Sequence, residues 1–178
     1  MNMPRVGQAL AVTALFTTLA AGDVFAANQG TLGATSQGDL TITLNIDPLV
    51  QISRIDDIPL GAYTGGGDMT GADNLCVYTN NGGYDITASG SGTGGAFELA
   101  QGLNTIPYTV EWATSAGAGS GTGLTSGTPL AGLGGTFSTP DCGATDNAQV
   151  IVTVSNTDLG AAPTGPYSGV LTLMVAPQ

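Results

Sequence analysis

The sequence has no histidine, no lysine and only two arginines, Arg5 and Arg54, in 178 residues. Those absences remove much of the usual catalytic equipment. A Ser-His-Asp relay, a Schiff-base lysine and a histidine metal ligand are all excluded. Against the two cations stand 13 carboxylates, giving a net charge of −11. A chain this acidic is not expected to bind nucleic acid or anionic lipid, whose phosphates must be met by Lys and Arg.

Carboxylate chemistry remains to be weighed. A glycosidase needs only two acidic side chains flanking a sugar bond, and Glu98 and Glu111 are the only glutamates. Glu111, however, alternates with apolar neighbours and should point to water. Asp56, Asp57, Asp68 and Asp73 raise calcium as a ligand, but no Asp-x-Asp-x-Asp-Gly loop is present, and solvated surface carboxylates account for them more simply. The many glycines form no phosphate cradle, since no Lys follows a G-x-x-x-x-G. We therefore expect no catalysis, no metal and no cofactor.

What the chain does have is small polar and β-branched residues. Gly alone contributes 29, and Val, Ile and Leu come in short runs with a period of two. Glycine and β-branched side chains are poor helix material, while a period of two marks strands with one wet and one dry face. Mean hydropathy is +0.23, which favours a packed β protein over a disordered one.

Residues 1–26 have the layout of a secretory signal. Arg5 precedes a run of weakly polar to apolar residues from Gln8 to Ala21, and Val24-Phe25-Ala26 supplies slim residues before a cut. Removing them would leave 178 − 26 = 152 residues, enough for one domain with a real core. No later stretch could cross a bilayer as a helix, so the processed chain is expected to be exported with no integral membrane segment.

Beyond that point the reading is a flexible leader over 27–37, a donor-type strand over 38–47 and a sandwich domain over 48–178. Leu40, Ile42, Leu44 and Ile46 alternate with polar residues until Pro48 stops the pattern. Further strands are predicted at Leu49–Ile52, Ile58–Tyr63, Asn74–Thr79 and Tyr84–Ser89, the last two flanking the hairpin signal Asn80-Asn81-Gly82-Gly83. Others follow at Ala96–Leu99, Ile106–Trp112, Ala148–Ser155 and Ser168–Ala176. Ile106, Tyr108, Val110 and Trp112 share a face, with Trp112 as core anchor. Residues 115–135 read as a long Gly-rich loop carrying one short strand near Pro129–Ala131. About eight to ten short strands with no helical segment describe an all-β, antiparallel, immunoglobulin-like sandwich.

Two cysteines in an exported chain are expected to pair. Cys76 and Cys142 lie 142 − 76 = 66 positions apart, and their bond would pin the Gly-rich excursion to the sandwich. Two thiols without histidine are poor equipment for zinc.

Several stretches resemble one family. Gly38 to Ile46 looks like the donor strand of archaic chaperone-usher pilins, which share the spore coat protein U type domain. Leu60-Gly61-Ala62-Tyr63 is similar to that family's Phe-Gly-x-hydrophobic step. Cys76 within Leu75–Thr79 sits where the family has a cysteine, and the strand from Tyr84 to Ala88 follows it. Phe97–Leu99 with Ile106–Val110 resembles its Leu-x-Tyr-x-Val region, and Gly165–Leu173 its closing Gly-x-Tyr strand. Two departures stand beside these. Leu49-Val50 occupies the place of a further cysteine, and the chain closes on Ala176-Pro177-Gln178 instead of an aromatic end.

The resemblance implies a sandwich short of one strand, completed by the N-terminal segment of a neighbouring copy or related subunit. Leu40, Ile42, Leu44 and Ile46 would be the plugs, and Leu171, Leu173 and Val175 would help line the acceptor groove. It also implies a periplasmic chaperone and an outer-membrane usher as partners, with passage through the periplasm to a cell-surface fibre serving adhesion or biofilm. The residues leave a second arrangement open, in which the same strand completes its own domain and the product is an exported binding or matrix protein.

Overall fold

The computed structural model describes residues 27–136 and 139–178. The expected signal segment, 1–26, lies outside them. The chain divides into two units, residues 1–45 and 46–178.

In the first unit the described residues form a small loop closed by one bridge. Asn28 and Asp39 exchange backbone hydrogen bonds of 2.8 and 2.9 Å.

The second unit is an antiparallel β-sandwich. Its strands in chain order are β1 (Val50–Ser53), β2 (Met69–Thr79), β3 (Gly83–Gly90), β4 (Glu98–Gln101), β5 (Asn104–Pro107), β6 (Thr109–Ala113), β7 (Thr122–Gly123), β8 (Leu130–Gly134), β9 (Ala148–Val154) and β10 (Leu171–Pro177), with one short helix, α1 (Asn156–Ala161), before the last strand. One sheet has the order β1-β2-β9-β6-β7, a second has β10-β3-β8, and β4 pairs with β5 alone.

Side-chain alternation explains the layering. Leu75 and Val77 of β2, Val110 and Trp112 of β6, and Val150, Val152 and Val154 of β9 turn one face of the first sheet into the core, where Tyr84 and Ile86 of β3 meet them. Trp112 is the anchor that its spacing predicts. It is 2% exposed, packs edge-on against Tyr84 at 6.4 Å between ring centroids, and donates its indole N–H to the Tyr84 hydroxyl at 3.0 Å. That bond joins the two sheets across the dry interior, where both groups would otherwise lack a partner.

Cys76 and Cys142 are bonded, with their Cα atoms 5.9 Å apart, inside the span a disulfide accommodates. The Gly-rich loop is also held down by hydrogen bonds. Gly117 N–H donates to Asn74 Oδ1 and Gly119 N–H to Gln149 Oε1, both at 2.9 Å. Gln149 Nε2 in turn donates to Asn74 Oδ1 at 3.0 Å. Both glycines have positive φ, 69° and 73°, the left-handed region that a side chain disfavours.

Four expectations are corrected. The Asn80–Gly83 turn does not close a hairpin, because β2 and β3 belong to different sheets. Leu75, Val77 and Thr79 on one strand and Tyr84, Ile86 and Ala88 on the other are all fully buried, so the strands pack face to face and the turn becomes a corner between layers. Ile58–Tyr63 forms no ladder. Pro59 removes a donor, and Ile58 and Leu60 instead press on Gly71 of β2, where an added Cβ would meet Ile58 Cγ2 at 2.4 Å. The run Ile106–Trp112 is two strands, β5 and β6, parted at Tyr108, whose N–H donates to Phe97 O at 2.9 Å. Finally, helix α1 stands where none is expected. Ser155 caps it by accepting from Asp158 N–H at 3.1 Å, a local Ser-x-x-Asp signature.

Candidate strand-acceptor groove

β10 is the element around which the candidate site is built. It lies at the end of its sheet, paired in continuous antiparallel register with β3 from Leu171 opposite Gly90 to Pro177 opposite Tyr84. Among the described residues no strand pairs with its other side. An unpaired edge presents a row of N–H and C=O groups ready to receive another strand.

The side chains of this edge fit the same role. Leu171, Leu173 and Val175 point inward and pack on the core, yet each remains half-buried. Thr172, Met174 and Ala176 point outward and are exposed. Val50 and Ile52 of β1 are likewise half-buried. Half-buried aliphatics thus lie on both of these strands, each at the end of its sheet and close to the other.

A cleft of about 1020 Å³ lies beside the start of β10, with Ser168 and Gly169 among its lining residues. Leu60, Leu99, Ile106, Val154 and Leu159 line it as well. One wall is the extended segment around Leu60, held to α1 by three hydrogen bonds. Tyr63 donates its hydroxyl to Asn156 Oδ1 at 2.5 Å, Gly67 N–H donates to the same oxygen at 3.1 Å, and Asn156 N–H donates to Asp68 Oδ1 at 2.8 Å. Across the cleft the Tyr167 hydroxyl donates to Pro163 O at 3.0 Å. Both tyrosine hydroxyls are thus engaged locally, and the lining suits an apolar side chain entering from outside.

The predicted plugs are found on the surface. Leu40, Ile42, Leu44 and Ile46 are 72%, 87%, 85% and 73% exposed, and residues 40–49 join no ladder among the described residues. The strand expected there does not form, and its end is tied to the β2–β3 corner instead, where Asn80 Nδ2 donates to Asp47 O at 2.9 Å and Leu49 N–H donates to Asn80 Oδ1 at 2.7 Å.

Several acidic residues are spent on local structure. Asp73 is 9% exposed and accepts Asp56 N–H at 2.9 Å; burial, the largest influence, raises its pKa above the ordinary carboxylate value. Asp141 accepts from the Thr139 hydroxyl at 2.5 Å and from Gly143 N–H at 3.2 Å, and these bonds hold its carboxyl below the usual range. Arg54 pairs with Asp146 at 2.5 Å. Glu111 departs from the solvated position expected of it, since it is half-buried and accepts Gly121 N–H at 2.9 Å. Glu98 belongs to the β4-β5 sheet and Glu111 to the five-stranded one.

Leu171, Leu173 and Val175, which the resemblance assigns to a groove, are half-buried on the edge strand β10, while Leu99, Ile106 and Leu159, which sequence reasoning did not single out, line the cleft beside it. Leu159 could have been found from the Ser155-x-x-Asp158 cap, which announces a helix turn there. Leu99 and Ile106 carry no such signal, because a partly covered core residue and a fully covered one look alike in sequence. In comparisons with known proteins, no family model and no curated protein matches this chain.

Proposed function

We propose that the protein is a structural subunit of an exported surface fibre, assembled head to tail by strand donation and serving adhesion or biofilm. The observation that carries this reading is the pairing of a donor and an acceptor in one chain: four alternating aliphatics in water and an unpaired, half-covered edge at β10.

Magnitudes support it. Burying four large aliphatic side chains is worth about 6–12 kcal/mol at about 1.5–3 each, against an association cost of about 4–15 kcal/mol. Apolar burial alone therefore only balances association, and the main-chain bonds along the edge tip it toward assembly. A contact between two different surfaces of identical copies is heterologous, and where its rotation does not close a ring it propagates as a fibre. Until filled, the groove is an aggregation hazard, which a periplasmic chaperone would cover before an outer-membrane usher passes the subunit to the surface.

The test is a double substitution, Ile42→Asp with Leu44→Asp, read by electron microscopy or sedimentation together with thermal melting. Strand donation between copies predicts that polymers disappear while the melting temperature of the monomer stays within about 2 °C of the unsubstituted monomer, because exposed side chains contribute little to their own fold. A monomer that loses stability instead would show that the segment completes its own domain, and the fibre reading would be wrong.

A further inference from the structure

The backbone of β10 restricts how an incoming strand can lie. Ser168 and Ala100 exchange backbone hydrogen bonds of 3.2 and 2.8 Å, Val170 N–H donates to Ser91 Oγ at 3.0 Å, and Gln178 N–H donates to Gly83 O at 3.3 Å. With a strand period of two, the even-numbered residues from 168 to 178 direct their backbone groups toward β3 and β4. The odd-numbered residues Gly169, Leu171, Leu173 and Val175 therefore direct theirs to the open side. Pro177 belongs to the same set but has no N–H.

We infer that the donated strand lies antiparallel to β10 in one register, with Leu40 opposite Val175, Ile42 opposite Leu173, Leu44 opposite Leu171 and Ile46 opposite Gly169. This inference rests on the fibre reading above and specifies the contact it requires. Directly opposed residues of an antiparallel pair share a face and can exchange both backbone bonds, so four groove-facing plugs meet four positions that each offer a donor and an acceptor.

Neighbouring registers fail on identifiable residues. A shift of two toward the end of β10 sets Leu40 against Pro177 and forfeits a bond. That end is also crowded, because β1 comes close to β10. Val50 pairs with Thr79, and Pro177 with Tyr84, so both lie at the corner between β2 and β3. A shift of two the other way sets Ile46 against Tyr167, whose ring is half-buried and whose hydroxyl is tied to Pro163. In the inferred register Ile46 faces a residue with no side chain, beside the 1020 Å³ cleft. Gly169 itself must stay small, since an added Cβ would stand 2.7 Å from Glu98 O. Pro48 then falls opposite Tyr167, one step past the last open position, where its missing N–H costs nothing.

Cross-linking between copies of the full-length chain tests the register. Subunits carrying Ile42→Cys are mixed with subunits carrying Cys at position 171, 173 or 175, and intermolecular disulfides are read on non-reducing gels. The native bond does not interfere, because Cys76 and Cys142 are 0% and 8% exposed. Opposed Cα atoms in a hydrogen-bonded pair are about 5.5 Å apart, within disulfide reach. The expected result is that the Leu173→Cys partner dominates. Dominance of Leu171→Cys or Val175→Cys overturns the register and leaves strand donation standing, whereas no cross-link with any partner, together with monomers throughout, overturns both.

Amide exchange on the unsubstituted protein gives an answer that needs no variant to fold. On assembly, protection of the Gly169, Leu171, Leu173 and Val175 amides should rise by at least about a hundredfold. An unprotected Gly169 amide in polymers otherwise protected along β10 overturns the register.

Discussion

Trp112 and Asp73 show how much a single buried polar atom matters in this sandwich. The indole N–H and the Tyr84 hydroxyl satisfy each other across the core at 3.0 Å, and burial holds the Tyr84 phenol above its ordinary pKa. Trp112→Phe leaves that hydroxyl without its donor and should cost about 1–3 kcal/mol beyond the lost packing. Adding Tyr84→Phe to the same chain should return part of the loss, so the double variant melts higher than the sum of the singles predicts. Asp73 acts with the opposite sign to Asp141. Its folded pKa is raised, so its charge destabilises the fold above that value and the penalty fades as pH falls through it. Asp73→Asn should therefore melt at or above the parent at pH 7, with the difference closing in acid, as thermal melts across pH 3–7 would show. Asp141 has a lowered folded pKa, so its contribution is present above the unfolded value and is lost as pH falls through the folded one.

Among the elements, the disulfide and the segments it joins carry the clearest prediction. Cys76 sits in the middle of β2, and Cys142 in a short helical turn, Cys142–Ala144, with Asp141 capping Gly143. Closing 66 residues of chain should stabilise the fold by about 4 kcal/mol in the loop-entropy picture. Reduction, or Cys76→Ser with Cys142→Ser, should lower the denaturation midpoint by a corresponding amount without changing oligomeric state. Strands were the legible elements. Alternation located β1, β3, β9 and β10 to within three residues, because each buries one face and the pattern follows from that alone, whereas β2 starts at Met69, 74 − 69 = 5 residues before the expected Asn74, and β5 and β6 were read as one run. Helix α1 was hidden by Gly160 and by its single turn and a half. The Asn80–Gly83 corner was misread because a turn signal reports the local backbone and says nothing of whether the flanking strands meet edge to edge or face to face.

At the scale of the whole molecule, a net charge of −11 opposes any contact between copies. If assembly proceeds by strand donation, the approach of two subunits is a repulsive encounter, and salt should hasten it by screening. Light scattering of purified subunits should show a polymerisation rate that rises between about 20 and 300 mM salt, whereas attraction through a basic patch would fall over the same range. Much of this molecule was fixed by composition and period before any fold was drawn. The absence of His and Lys, the dry-and-wet alternation of each strand, the fitness of Cys76 and Cys142 as a pair and the four aliphatics at 40–46 are local properties, and local properties are written in sequence. Which sheet each strand joins, that the second edge of β10 is unpaired among the described residues, and that Leu99, Ile106 and Leu159 line the cleft beside it were decided only by tertiary structure. Edges and clefts arise from how segments distant in the chain come to pack, and no single segment encodes its neighbour.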